Sequence, residues 1–495
     1  MKKAKRLFNF GNRNTSWKII LGTILLQIAF ILPGIIKNGI GFPLDDAWIH
    51  QTYARNLVQF GSWSFIPGIV SGGSTSPLWT ILLAPGFFLG GSFFYIWTMF
   101  VSCVALCGLI YFLCRSLKNI IGGNQPRLIF FIGLLSALEW HLQWATASGM
   151  ETVLYSMTIV LFIYLTTLED INWTAVGIVS GLIIWIRPDG LTLLGPLALI
   201  TIDTIFRKKY SLITAIKFSI PYLIITGSYL VFNYVLTGTI FPNTFYAKQM
   251  EYKDLLDFPL WKRIINEFSP IWVGVCLFLI PGLAFSFITS VKKHNLTNLG
   301  LLLWAIGYVL LFATRLPVIY QHGRYVIPVI PIMLLFGVEG WYIFLESVKS
   351  IKAKRIASFG VWVTLIAVSV VFYIRGMGSY ISDVKTINTF MVQPAKWINQ
   401  NTDKNSIVAV HDIGAMGFFG DRKLIDLAGL INPEVIPFIR DEELLGDYIR
   451  KRNADYFVGF SDWYGSSVNW GQSIKAFNMI VDEKNIEVDI IKIDY

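Results

Sequence analysis

Residues 17–65 read WKIILGTILLQIAFILPGIIKNGIGFPLDDAWIHQTYARNLVQFGSWSF, and this stretch decides the fold. Its first part, to about Ile36, is apolar and about 20 residues long, enough to cross a bilayer core. The basic segment MKKAKRLFNFGNRN precedes it and no small-residue cleavage site follows, so a signal anchor is expected rather than a cleaved leader. Asp45 and Asp46 then stand side by side at the lip of that span. Paired carboxylates are costly there and mark metal binding, proton transfer or ion coupling. If DDAWIHQTYARNL is helical, Asp46 and His50 share one face, with Tyr53 close by. Asp46 and His50 could hold a divalent metal, or the group could serve as an acid–base pair. A solvated surface helix with Asp45 as its N-cap is the plainer alternative.

The rest of the chain extends the membrane reading. Of 495 residues, 54% are hydrophobic and only 15% charged, well below the roughly 25% charged of soluble domains. Apolar runs recur near 17–36, 77–90, 93–114, 127–145, 150–167, 173–186, 190–205, 213–236, 270–289, 297–314, 325–346 and 356–374. The fold class expected is a polytopic α-helical membrane protein with eleven to thirteen spans. Lys and Arg cluster at 2–6, 115–127, 207–209, 292–294 and 349–355, between the apolar runs. This is the positive-inside pattern, and it argues against a nucleic-acid partner. It puts the N-terminus in the cytoplasm and segment 38–76 outside. One conflict arises: two apolar runs lie between Ser76 and Arg115, where an odd number of crossings is needed, unless 77–90 is re-entrant.

After Ile374 the composition changes. The segment from Ser379 onward carries a net charge of −5, whereas the chain before it carries +15. Residues 1–374 are read as the membrane domain, with 38–76 as its catalytic outer loop, and 375–495 as a small extracytoplasmic α/β domain. SIVAVHD, KLIDLAG, ADYFVGF and IEVDIIKI read as strands, and Pro394 and Asp441 stand near helix starts. The four cysteines (103, 107, 114 and 276) all lie in apolar runs, and none stands in a CxxC pair. Buried small hydrophobe is the reading for each.

Several cations interrupt the apolar pattern. Arg187 in IRPDG separates two apolar segments, with Asp189 two residues on. It could serve a site, or pair internally with Asp189 or Glu151. Arg315, His322 and Arg324 cluster in TRLPVIYQHGRY, and Lys248 ends FPNTFYAK. Glu139 and His141 break another run toward its outer end; they could line a cavity, and a satisfied core histidine is the plainer alternative. His411 and Asp412 end a strand followed by IGAMG. Ligand groups in α/β folds sit at such strand ends, so Asp412 or Asp426 could contact a glycan acceptor, with turn-capping by Asp412 as the plainer alternative.

The run LDDAWIHQTYARNLVQFGSWSF…SGGSTSPLWTILLA resembles the first extracytoplasmic loop of bacterial GT-C glycosyltransferases. The likeness is nearest to the group containing the mycobacterial terminal arabinofuranosyltransferase, and more distant to protein mannosyltransferases and aminoarabinose transferases. ASGMET at 147–152, IRPDG at 186–190, FPNTFYAK at 241–248, GRYVIPVIP at 323–331 and VHDIGAMGFFGDRKLIDLAGLINPE at 410–434 extend it over nearly the whole chain.

The resemblance implies an inverting transfer of a sugar from a polyprenyl-phosphate donor to an extracytoplasmic glycan, lipid or protein, at the bacterial inner membrane. It also implies a first-loop aspartate as general base, sometimes helped by a divalent metal such as Mg, Mn or Ca. Asp45 and Asp46 are the catalytic candidates: either one is the base, with Asp45 preferred, and the other holds a metal or orients the base. Arg55, Arg187, Lys248, His322 and Arg324 are the candidates for the donor phosphate, whose departing charge needs cations. The rival expectation is an ion-coupled transporter or flippase. Such proteins place their ionisable groups near the midplane of repeated halves, and no inverted repeat is seen here.

Overall fold

A computed structural model describes residues 13–123, 125–207, 209–460, 471–481, 483–494. Among these residues, seven helices are long and apolar enough to cross a membrane, and nine if each of two bent pairs is one span. The pairs are Pro126–Leu138 with Trp140–Ala147, bent 53°, and Leu260–Trp272 with Cys276–Lys292, bent 106°. The first bend has a local cause. Glu139 is extended, and its side chain accepts the Leu142 N–H, capping the second helix.

Three shorter apolar helices, Pro77–Phe87, Thr152–Thr166 and Trp173–Ile186, complete the apolar segments. The expected eleven to thirteen crossings include these shorter helices, yet at 1.5 Å per residue they reach at most about 25 Å. Pro77–Phe87 is too short to cross alone. One full-length helix, Phe93–Ile121, therefore stands between the first loop and the basic cluster at 115–127.

Helices Cys276–Lys292 and Ile330–Ser347 meet backbone to backbone. A Cβ on Gly340 would lie 1.8 Å from the Gly282 carbonyl oxygen, so only glycine permits this approach. The long helix Ile351–Ile387 continues through a π turn, Asn388–Val392, into Gln393–Asn401. Residue 375 thus falls inside a helix rather than at a linker.

A small hairpin, β1 (Ser64–Ile66) and β2 (Ile69–Val70), closes the first loop. The C-terminal sheet has strands β3 (Ile407–Val410), β4 (Lys423–Asp426), β5 (Tyr456–Phe460), β6 (Gly471–Val481) and β7 (Lys484–Ile493), in the order β4-β3-β5-β7-β6. β3 pairs in parallel with β4 and β5, while β7 runs antiparallel to β5 and β6. The strands read from the sequence are present; β6 was not foreseen, because its residues do not alternate cleanly.

Candidate active site

The loop helix Asp46–Phe60 follows the first span and ends on Gly61, which is left-handed at φ 63° and donates its N–H to Leu57. Its first residue, Asp46, faces a cavity of about 510 Å³. Four cations (Arg187, Lys248, Arg315 and Arg324) and three acids (Asp46, Glu151 and Asp189) line this cavity.

Asp46 Oδ2 accepts Lys248 Nζ at 3.0 Å and Arg324 Nη2 at 2.5 Å. Both cations also donate to the Tyr325 hydroxyl, at 3.0 and 3.1 Å. Burial alone would raise the Asp46 pKa, but Lys248 and Arg324 outweigh it and hold the carboxyl far below the usual range. Arg324 is 3% exposed, yet its Nε and Nη1 find no hydrogen-bond partner among the described residues. Such orphaned donors mark a place for an acceptor the protein itself does not supply. Three successive left-handed residues, Gln321, His322 and Gly323 at φ 56°, 58° and 66°, deliver Arg324 to this position. Two of them are not glycine, a conformation costing roughly 1–2 kcal/mol each.

Arg187 lies between Asp189, with Nε to Oδ1 at 3.0 Å, and Glu151, with Nη1 to Oε1 at 3.8 Å. The Tyr308 hydroxyl donates to the far oxygen of Asp189. His50 is buried. Its Nδ1 is 3.2 Å from both Ser74 Oγ and Thr80 Oγ1, and its Nε2 is 3.5 Å from Glu151 Oε2. Burial would raise Glu151, but His50 and Arg187 bring it down to about 2.

Asp45 and Asp46 part company. Successive helix positions point about 100° apart, and Asp45 turns away from the cavity. Its Oδ2 and Oδ1 accept the N–H groups of Gly414 and Ala415, at 2.6 and 2.8 Å. Burial, together with Asp412 and Asp46, pushes its pKa up to about 8 against the pull of those amides. Of the two candidates for the base, the geometry therefore favours Asp46, since both Asp45 oxygens are occupied by backbone N–H groups.

Of the five cations read as phosphate ligands, Arg187, Lys248 and Arg324 line the cavity, and Arg55 and His322 do not. Arg55 donates to the Phe418 and Gly417 carbonyls. His322 Nε2 is 2.8 Å from Asp383, and its ring lies edge-on between Trp140 and Trp144. Glu139 and His141 pair with each other at 2.7 Å, as a core pair would.

Asp426 is also misread as an acceptor contact. It is buried, and its carboxylate accepts the Ala428 and Ile431 N–H groups to shape the turn after β4. Asp412 is partly open and lies 3.6 Å from His411. The metal pair Asp46 and His50 does not form a ligand set. Asp46 engages two cations, His50 turns to Glu151, and no group of three His, Cys, Asp or Glu suited to a metal occurs among the described residues. Glu151, Asp189, Arg315 and Tyr325 were not singled out as site residues. All four belong to segments already quoted, but only the folded chain brings those segments together.

A family described as a domain of unknown function (DUF8728) matches residues 376–487. No curated protein sequence matches the chain. Solved structures do. ArnT from Cupriavidus metallidurans bound to undecaprenyl phosphate is 13% identical at a TM-score of 0.59, over 96% of this chain and 98% of that one. The archaeal oligosaccharyltransferase AglB from Archaeoglobus fulgidus, in complex with an inhibitory peptide and a dolichol-phosphate, is 10% identical at 0.57, over 91% and 70%. The oligosaccharyltransferase of the same organism in complex with Zn and sulfate is 13% identical at 0.55, over 90% and 67%. At such identities the likeness is one of fold. The polytopic helical membrane fold with a small C-terminal sheet expected from the sequence is the fold found, and it is shared with these structures.

Proposed function

We propose that this chain is an inverting membrane glycosyltransferase that takes its sugar from a polyprenyl-phosphate donor. The observation that carries the reading is Asp46 held by Lys248 and Arg324, three groups that line one cavity with Arg187 and Arg315. The ArnT and AglB structures, with undecaprenyl phosphate and dolichol-phosphate bound, support it at the level of fold.

In this reading the donor phosphate enters among Lys248, Arg324 and Arg187. An arriving phosphate competes with Asp46 for the first two, so Asp46 loses the cations that hold its pKa down and gains a nearby anion. Both changes make it a better base. An acceptor hydroxyl then attacks the anomeric carbon, its proton passes to Asp46, and the bond from that carbon to the phosphate oxygen breaks. Charge builds on the departing phosphate, where Lys248, Arg324 and Arg187 stabilise it. Glu151 and Asp189 hold Arg187 in place. No step is routed through a metal, because the residues expected to ligate one do not fit it. Charge asymmetry supports an N-terminus in the cytoplasm and a cavity opening outside, at the inner membrane.

The test is direct. Purified protein in lipid is given labelled polyprenyl-phosphate sugars and candidate acceptors, and transfer with release of polyprenyl phosphate is measured. The reading predicts transfer that Asp46→Asn slows by about 10²–10⁴-fold. A fully active Asp46→Asn protein, or sugar carried across vesicles without bond cleavage, would overturn it.

A further inference from the structure

The C-terminal domain touches the site at two separate places. The first is the turn Ile413–Gly420, which follows β3 and lies along one face of the loop helix. Asp45, Trp48 and Arg55 share that face. Asp45 accepts Gly414 and Ala415, Arg55 donates to Gly417 and Phe418, and the Phe418 and Phe419 rings lie 5.0 and 4.7 Å from Trp48. The glycines of this turn are required by closeness. A Cβ on Gly414 would lie 2.1 Å from the Asp45 carbonyl oxygen, and one on Gly417 2.2 Å from the Phe65 ring.

The second place is the helix Asn243–Glu251, which carries Lys248. Asn243 Nδ2 donates to the Leu430 carbonyl at 3.3 Å. Arg440 Nη1 donates to the Glu251 carbonyl at 2.5 Å, and Nη2 pairs with Asp254. His411 Nε2 lies 3.5 Å from Glu251 Oε1. One domain therefore holds both helices whose side chains meet as Asp46–Lys248, two groups 202 residues apart in sequence.

We infer that the C-terminal domain sets the spacing of the Asp46–Lys248 pair, with Asp45, Arg55 and Arg440 as positioning residues that grip the two helices. The domain is then part of the site's frame rather than an appended module. Its chemical consequence rests on the function proposed above, but the spacing itself does not. Misplacing a reacting group by about 1 Å costs on the order of 10²-fold in rate, so a loosened grip is read in transfer without any change to the lining residues.

The experiment uses the full chain with its four cysteines replaced by serine. Spin labels are placed at Phe60→Cys and Tyr246→Cys, both exposed and one on each gripped helix. Pulsed electron resonance should give one narrow distance for the parent. The Asp45→Ala/Arg55→Ala pair and, separately, Arg440→Ala should broaden or shift it, and Arg440→Lys should recover part of the parent distribution. In the transfer assay, Arg440→Ala should raise the donor KM and Asp45→Ala/Arg55→Ala should lower kcat, each per folded molecule. Unchanged distances in both grip variants overturn the inference, even where transfer proceeds. Altered distances in a protein that transfers no sugar uphold the positioning and remove the proposed function instead.

Discussion

Asp46→Asn separates two roles that a carboxylate between two cations can play. If Asp46 only anchors Lys248 and Arg324, neutralising it should loosen the cavity and weaken donor binding. If it is the base, kcat should fall by about 10²–10⁴-fold, and donor binding should improve. The improvement follows from the geometry. Oδ2 now occupies Lys248 at 3.0 Å and Arg324 at 2.5 Å, and the donor must displace it. The Asp46 side chain is 29% exposed, so part of its charge is screened. Taking about 1 kcal/mol for each of two such partly screened pairs, the freed cations should bind phosphate roughly tenfold or more tightly. The assay is steady-state transfer over a range of donor concentrations, with polyprenyl phosphate as a competing product to read affinity directly. An Asn variant with wild-type kcat, or one losing kcat and affinity by the same factor, refutes the reasoning.

Arg324→Ala should raise donor KM at least tenfold, and Arg324→Lys should recover only part of it, because lysine cannot reproduce the planar fork; a KM series checks this. Trp48→Ala, with its ring buried against Phe42, Phe94, Phe418 and Phe419, should cost about 3–5 kcal/mol, read as an earlier thermal midpoint. Stability should fall as pH rises from about 5 to 9. Asp45 is raised from 3.8 to about 8, and His411 from 6.5 to about 9; for Asp45 burial leads, and for His411 Asp412 and Glu251 outweigh burial. Both groups therefore hold protons in the folded chain that the unfolded chain has released, and that advantage disappears as pH climbs through the folded values. Thermal midpoints across this range should decline, and Asp45→Asn should flatten the part below pH 8. Gly414→Ala should undock the turn from the loop helix, seen as faster amide exchange in residues 46–60.

Much of the membrane architecture was legible, because apolar runs of spanning length have one main use. The C-terminal strands were legible for a similar reason: β3 and β7 carry the clean patterns of buried strands. The neighbourhood of the site was legible through Asp46, Arg187, Lys248 and Arg324, each of which interrupts or borders an apolar run. What the sequence could not separate was Asp45 from Asp46. Neighbouring residues of one type differ only in direction, and direction depends on what packs on each side. Arg55 and His322 were misread for the same reason: a cation near a site in sequence may equally hold a turn or fill an aromatic slot. Glu151 and Asp189 were legible as possible partners of Arg187, which they are, but that they line a cavity with Asp46 needed the fold, since the segments that meet there lie far apart in the chain.

The helix Ile351–Ile387 runs on through the π turn to Asn401, and a short turn at 402–406 joins it to β3. When a bilayer is thinner or thicker than a span prefers, the helix tilts to match it, and this span leads, by way of the π turn and the turn at 402–406, to the sheet that contacts the two gripped helices. If that route carries the tilt, reconstitution in lipids of graded acyl length changes turnover at fixed composition of the site, and constant turnover across the series refutes it.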